Sequence, residues 1–389
     1  MAHNRLSKLL NESQLLVEEI KREQEQQDFE KTLKACQADH MAIYKSRRWY
    51  PRFVVWELTL ACNLRCAHCG STAGKGRSDE LTLDQMFKLS DEMGALGTER
   101  LTLLGGEPLI YPYWPEVTKR LQQNNIRVNV ITNGWTLPDP GVCDKIKDAG
   151  LTIVGISLDG LKKSHDTLRR EGSYDRIMSG LDNLKERDLS VAICTVITTN
   201  SIKDLEGLYQ LLVEKSVKVW QLQIASPLGR LEKDDPLIIK PAQIKELYDF
   251  FNEKRKAGGP IHIDLADDVG YFAPFEDGHC RTTRKSPRPW EGCFAGIQVM
   301  GIDSNGDIKG CQSLPSVPEY IEGNVTKSSL LDIWNNPEAF KYNRQFKLEN
   351  LSGQCRDCEF GALCKAGCSS SAISHTGDIG NNPMCIHRA

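Results

Sequence analysis

The sequence predicts an α/β protein: an open, partial (β/α)6 barrel with an N-terminal helical extension and a C-terminal cysteine-rich domain. Three observations predict it. Between Arg52 and residue 228, six apolar runs of strand length alternate with amphipathic segments of helix length. Each alternation reads as a parallel strand with a right-handed crossover, and six such units are too few to close an eight-stranded barrel. Cys62, Cys66 and Cys69 directly follow the first run, and eight of the 14 cysteines fall at or after position 280.

Residues 1–48 read as a helical extension. Leu6, Leu9, Leu10, Leu15, Leu16 and Ile20 sit at near-helical spacing, and KREQEQQDFEKTL is strongly helix-forming. It serves either as a cap on the next domain or as an arm that docks a partner or substrate. Residues 49–228 form the core. Its strand runs are FVVWELTL, RLTLLGGE, RVNVITNG, TIVGISLDG, VAICTVITT and VWQLQIAS. Between them lie helical segments such as LTLDQMFKLSDEMGAL and YDRIMSGLDNLKERD. Sites on such folds collect at the C-terminal strand ends, which puts the cysteine loop on that face. Residues 229–279 read as a bridge, with a helix ending at Gly258 and Gly259. Residues 280–389 form the cysteine-rich domain.

Composition narrows the class. A 389-residue chain is ample for a buried core, and a net charge of -3 gives no sign of nucleic acid or an anionic membrane as partner. The N-terminal stretch is charged throughout, without the apolar core of a signal peptide. No run approaches the roughly 18 apolar residues of a membrane helix. A cytoplasmic location is expected, where clustered cysteines mean metal or catalysis more often than disulfides.

The spacing in ELTLACNLRCAHCGS is C-x3-C-x2-C. Three thiolates on one loop can ligate three irons of a four-iron cluster and leave the fourth iron open, because a protein-held [4Fe–4S] cluster needs four cysteines. A zinc knuckle or a chance trio of core cysteines is the plainer alternative. The run resembles the signature of the radical S-adenosylmethionine (radical SAM) enzymes, with His68 where that family usually carries an aromatic residue. The resemblance implies that the open iron chelates S-adenosylmethionine (SAM), and that an electron from the cluster cleaves its sulfonium to a 5′-deoxyadenosyl radical. It further implies SAM contacts from Gly105, Gly106 and Glu107 in GGEP, from Asn133, and from Ser157 with Arg169. Arginine suits a carboxylate because its guanidinium can bind both oxygens. The plainer reading makes Ser157 and Asn133 turn caps and Arg169 a surface charge. Cys143 and Cys194 read as small core residues.

From Cys293 the order is C-x12-G-x4-C, then C-x2-C-x5-C-x3-C, then a last cysteine. This resembles the seven-cysteine SPASM domain. Structural zinc could use four of these residues but leaves the others unexplained. The resemblance implies two auxiliary [4Fe–4S] clusters, for three in all. One would use Cys293, Cys311 and Cys368 with Cys280 as the fourth ligand, and the other Cys355, Cys358, Cys364 and Cys385. Sulfatase-maturing relatives carry a basic aspartate directly after the cysteine aligned with Cys311. Gln312 stands there instead and cannot take a proton at neutral pH.

The function expected is that of an oxidoreductase in ribosomal-peptide (RiPP) biosynthesis. It would modify a precursor peptide, with oxidative crosslinking ahead of epimerisation and backbone excision. Oxidation of a small molecule is the second enzyme reading, and an iron–sulfur electron carrier the non-enzyme one. Flavodoxin or ferredoxin is the expected electron donor. A separate leader-recognition protein is a further candidate partner, because residues 1–48 are too short and too helical for a winged-helix domain.

Overall fold

The computed structural model describes residues 49–266 and 292–388, with two short strand pieces at Thr282–Thr283 and Ser286–Pro287. The helical extension over 1–48 and Cys280 lie outside the described residues.

β1 (Phe53–Thr59), β2 (Arg100–Gly105), β3 (Arg127–Thr132), β4 (Val154–Ser157), β5 (Val191–Ile197) and β6 (Val219–Ile224) run parallel in chain order. Each falls inside one of the six apolar runs. The connecting helices are α1 (Leu83–Ala95), α2 (Trp114–Gln123), α3 (Pro140–Asp148), α4 (Lys162–Leu168), α5 (Ser173–Glu186) and α6 (Leu205–Glu214). α1 shows why such a segment folds as it does. Thr82 and Gln85 form a reciprocal capping box at its start, worth about 1 kcal/mol. Met86, Leu89 and Met93 then recur on one face and are buried. They join a core with Trp56, Leu101, Leu103 and Val128 on the outer face of the sheet.

The sheet is larger than the six strands expected. The predicted bridge contributes α7 (Pro241–Ala257), which ends at Gly258 in the left-handed conformation, and then β7 (His262–Leu265), parallel to β6. At the other edge β8 (Val299–Ile302), from the cysteine-rich region, pairs parallel with β1 from Phe53↔Val299 to Trp56↔Ile302. β9 (Asp307–Lys309) and β10 (Gly323–Asn324) follow antiparallel. Among the described residues β7 and β10 are the two ends of this ten-stranded sheet, which stays open.

The cysteine-rich region is thus joined to the core by a shared sheet. A buried carboxylate reinforces the joint: Glu57 on β1 accepts hydrogen bonds from the Ser304 backbone and hydroxyl and pairs with Arg77 at 2.9 Å. Beyond β10 the chain forms short helices: α8 (Leu330–Asn335), α9 (Lys341–Arg344), α10 (Gly361–Cys364) and α11 (Ser369–Thr376). Among the described residues no helix is long and apolar enough to cross a membrane.

Candidate functional site

Parallel strands end together, so the loops after β1, β2, β3 and β4 meet at one edge of the sheet. The loop after β1 carries Cys62, Cys66 and Cys69. It is fastened from several sides. Cys62 N–H donates to Gly74 O, and Ala67 N–H to Leu168 O at the end of α4. Arg230 grips it from the turn after β6: its backbone N–H donates to Cys69 O, and its guanidinium to Cys66 O (3.0 Å) and Ala73 O. A Cβ on the neighbouring Gly229 would lie 2.3 Å from Cys69 O, so only glycine permits this approach.

The GGEP turn after β2 packs on the same loop. A Cβ on Gly105 would fall 2.2 Å from Thr59 O, and one on Gly106 2.1 Å from Ala61 O. The glycines therefore serve a close approach to the backbone of the cysteine loop, where the sequence suggests an approach to a ligand. Glu107 is fully buried. Its carboxylate accepts from Thr132 Oγ1 (2.7 Å), Asn133 N–H (2.7 Å) and Leu109 N–H (3.1 Å). Burial raises its pKa to about 7 against the pull of those three donors. Asn133 is likewise engaged, donating to Asn63 Oδ1 (2.8 Å) and to Cys62 Sγ (3.7 Å) while accepting from Trp135 N–H. The side chains of Glu107 and Asn133 thus fasten the site's framework, beside the SAM contacts that the resemblance implies for them.

At the end of β4, Asp159 forms the centre of a buried charged knot. Arg169 donates to it through Nε (2.5 Å) and Nη2 (3.2 Å), and His68 Nε2 lies 3.2 Å from the same carboxylate. Burial would raise the Asp159 pKa, but Arg169 and His68 overcome it and hold the carboxyl well below its ordinary range. His165 pins the backbone. Its Nδ1 accepts from Asp159 N–H (3.1 Å), so its Nε2–H donates to Ser173 Oγ (3.1 Å). Burial lowers the His165 pKa to about 4 and keeps it neutral.

Arg169 is therefore a buried paired group rather than a surface charge, and the fork expected to bind a carboxylate of SAM is already taken by Asp159. Its remaining nitrogen, Nη1, points to Cys66 Sγ at 3.9 Å. Ser157 stays on the inner face of the sheet, opposite Cys194 on β5, and its hydroxyl has no hydrogen bond among the described residues. Cys143 is a core residue at 0% exposure. Cys194 is a correction. It alternates with the buried Ile193 and Thr195 and so lies on the part-exposed inner face. Asp159 and Arg230 were missed as site residues. Asp159 is the third residue of the SLDG run, ten residues before a buried arginine, whereas nothing local marks Arg230.

The three loop thiols suit a cluster by their donor environment. Leu64 N–H donates to Cys62 Sγ and Ala73 N–H to Cys69 Sγ, both at 3.4 Å, and Arg169 faces Cys66. Such donors stabilise thiolate ligands. Burial pushes the Cys62 thiol up to about 11 without a metal. Among the described residues no three His, Cys, Asp or Glu side chains converge on a single-ion site.

In the C-terminal region Cys355, Cys358, Cys364 and Cys385 line one cavity with Phe360 and Ala366. Four thiols around one hollow fit a closed four-iron cluster. Cys293 and Cys311 both act electrostatically on Tyr342, and Cys368 is the buried N-cap of α11. Gln312 donates to Asp303 Oδ1 at 2.7 Å, and Asp303 is itself clamped by Lys309 (3.0 Å) and Ser316 (2.6 Å).

Comparison with known proteins agrees with this geometry. Residues 56–212 match the family model of the radical SAM superfamily, and residues 293–359 match SPASM, an iron–sulfur cluster-binding domain. An AdoMet-dependent heme synthase of Methanosarcina barkeri is 29% identical over 349 residues, which cover 87% of this chain and 97% of that protein. The mycofactocin maturase MftC of Mycolicibacterium smegmatis is 26% identical, with 86% and 83% covered. The crystal structure of Streptococcus suis SuiB bound to S-adenosylmethionine shares the fold, with a TM-score of 0.67 at 18% identity over 90% of this chain and 79% of that one.

Proposed function

We propose that this chain, a radical SAM enzyme with a C-terminal SPASM domain, performs a net oxidation of a precursor peptide at an unactivated C–H bond. The observation that carries the proposal is the shared sheet. β1 leads into the Cys62 loop, and its neighbour β8 belongs to the cysteine-rich region, so the two cysteine-bearing parts of the chain share one sheet.

Cys62, Cys66 and Cys69 would hold the open cluster, with SAM beside Ser157 and the Arg169 edge whose Nη1 faces Cys66. When bound, that cluster supplies the electron that cleaves SAM to the hydrogen-abstracting radical. The protein's own part is to orient and exclude water. Glu107 and Asn133 hold the strand ends against the cysteine loop, and Asp159 fixes the Arg169 edge toward Cys66. Cys355, Cys358, Cys364 and Cys385 would hold one auxiliary cluster, and Cys293, Cys311 and Cys368, with Cys280, the other. Flavodoxin or ferredoxin would supply electrons, and a separate protein would present the leader. The relatives named maturases support the peptide reading, and an open-edged sheet suits a chain-like substrate. Gln312 backed by the clamped Asp303 offers no free carboxylate base, which argues against formylglycine formation through that position.

A tetrapyrrole is the second substrate class, favoured by the heme synthase relatives. Anaerobic incubation of the reconstituted chain with SAM and reductant should form 5′-deoxyadenosine. A co-expressed precursor peptide should lose about two mass units per oxidation, the mass of two hydrogens. Turnover of an iron porphyrin with none of any candidate peptide would replace the peptide reading by the tetrapyrrole one.

A further inference from the structure

Three consecutive residues of α9 face the part of the chain that carries Cys293 and Cys311. Asn343 Nδ2 donates to Cys293 O (2.5 Å) and to Ala295 O (2.8 Å). Arg344 donates to Gly296 O (2.6 Å) and Trp334 O (2.8 Å). Tyr342 precedes them and reaches the second cysteine segment. A Cβ on Gly310, the residue before Cys311, would come within 2.0 Å of the Tyr342 hydroxyl oxygen. The two segments are themselves joined by the Gly296 N–H to Gly310 O bond.

The Tyr342 hydroxyl is buried and has no hydrogen-bond partner among the described residues. A buried O–H left unpaired costs about 1–3 kcal/mol, so native proteins seldom keep one without a ligand or water. Its ring is held edge-on by Tyr320, with centroids 6.0 Å apart, so the hydroxyl is not free to swing out to solvent.

We propose that Tyr342 is a positioning residue for the auxiliary cluster held by Cys293 and Cys311, donating its O–H to a sulfide sulfur of that cluster and raising the cluster's reduction potential. The proposal rests on the reading that these cysteines ligate a cluster. The physical cause is charge: reduction adds a negative charge to the cluster, and a hydrogen bond to sulfur stabilises the reduced form more than the oxidised one.

The test uses the anaerobically reconstituted full chain in a Cys62→Ala, Cys66→Ala, Cys69→Ala background, which leaves the two auxiliary clusters. Iron is measured first. About eight irons per chain, four per cluster, supports the cluster reading, and fewer overturns that reading itself. Tyr342→Phe keeps the ring. It should make reduction of one cluster about tenfold harder, a fall of about 59 mV for one electron, with the other cluster unchanged. Unchanged potentials for both clusters, with iron retained, would overturn the role of Tyr342 alone. If Tyr342→Phe loses iron, fluorotyrosine incorporated into the otherwise unsubstituted chain makes the hydroxyl a stronger donor. The potential of one cluster should then rise, and no change would overturn the proposal.

Discussion

Replacing Asp159 by asparagine removes the carboxylate that Arg169 and His68 share. Arg169 would remain buried with its positive charge unpaired, at a cost of about 3–5 kcal/mol. The freed guanidinium would no longer be aimed past Cys66. Asp159→Asn should therefore lower the thermal midpoint and slow SAM cleavage at least tenfold in protein that still carries its iron. A variant with native stability and native cleavage would show that Asp159 does not position Arg169. His165 gives a pH signature at the same knot. Its pKa falls from 6.5 in the unfolded chain to about 4 in the folded one, so the native state binds fewer protons between these values. Above pH 6.5 it contributes nothing, and as pH falls from 6.5 to 4 it removes stability, up to about 3 kcal/mol. His165→Gln should flatten that part of the stability profile measured by denaturant unfolding. An unchanged slope would show that His165 is not buried neutral.

At the scale of elements, the GGEP turn is a spacer that lets β2 approach the cysteine loop. Gly106→Ala places a methyl against Ala61 O and Leu60 O, backbone atoms that can move only with the loop itself. Iron should fall by about four per chain, with the auxiliary clusters kept. Native iron in Gly106→Ala would show that the loop tolerates the shift. Cys355→Ala acts elsewhere. It opens the four-thiol cavity and should lower thermal stability, since metal binding and folding are coupled there. The six core strands were legible because continuous apolar runs such as VAICTVI, rich in β-branched residues, alternate with helix-length amphipathic segments. β7 was not, because HIDL is too short to show a period, and α4 was not, because KKSHDTL offers few apolar positions. The cysteine positions were legible as chemistry. The partners of Glu107, Asn133 and Arg169 were not, since each bond crosses between strand ends that only the folded sheet brings together.

At the scale of the whole molecule, the cysteine-rich region extends the core sheet. β8 lies about 240 residues after β1 in the chain and pairs directly with it. No local pattern announces such a pairing, because its register depends on a closure across the entire core. The consequence is a single scaffold with two kinds of cysteine site: a part-buried loop at the strand ends with three thiols, and a C-terminal set whose best-defined member is a four-thiol cavity. The two kinds of site should be separable, the loop generating the radical and the C-terminal set moving electrons. Iron content and 5′-deoxyadenosine formation, measured together in the Cys62→Ala, Cys66→Ala, Cys69→Ala chain, test that separation most directly. Iron should drop from about twelve to about eight per chain, with no SAM cleavage. Retained cleavage, or loss of all the iron, would contradict it.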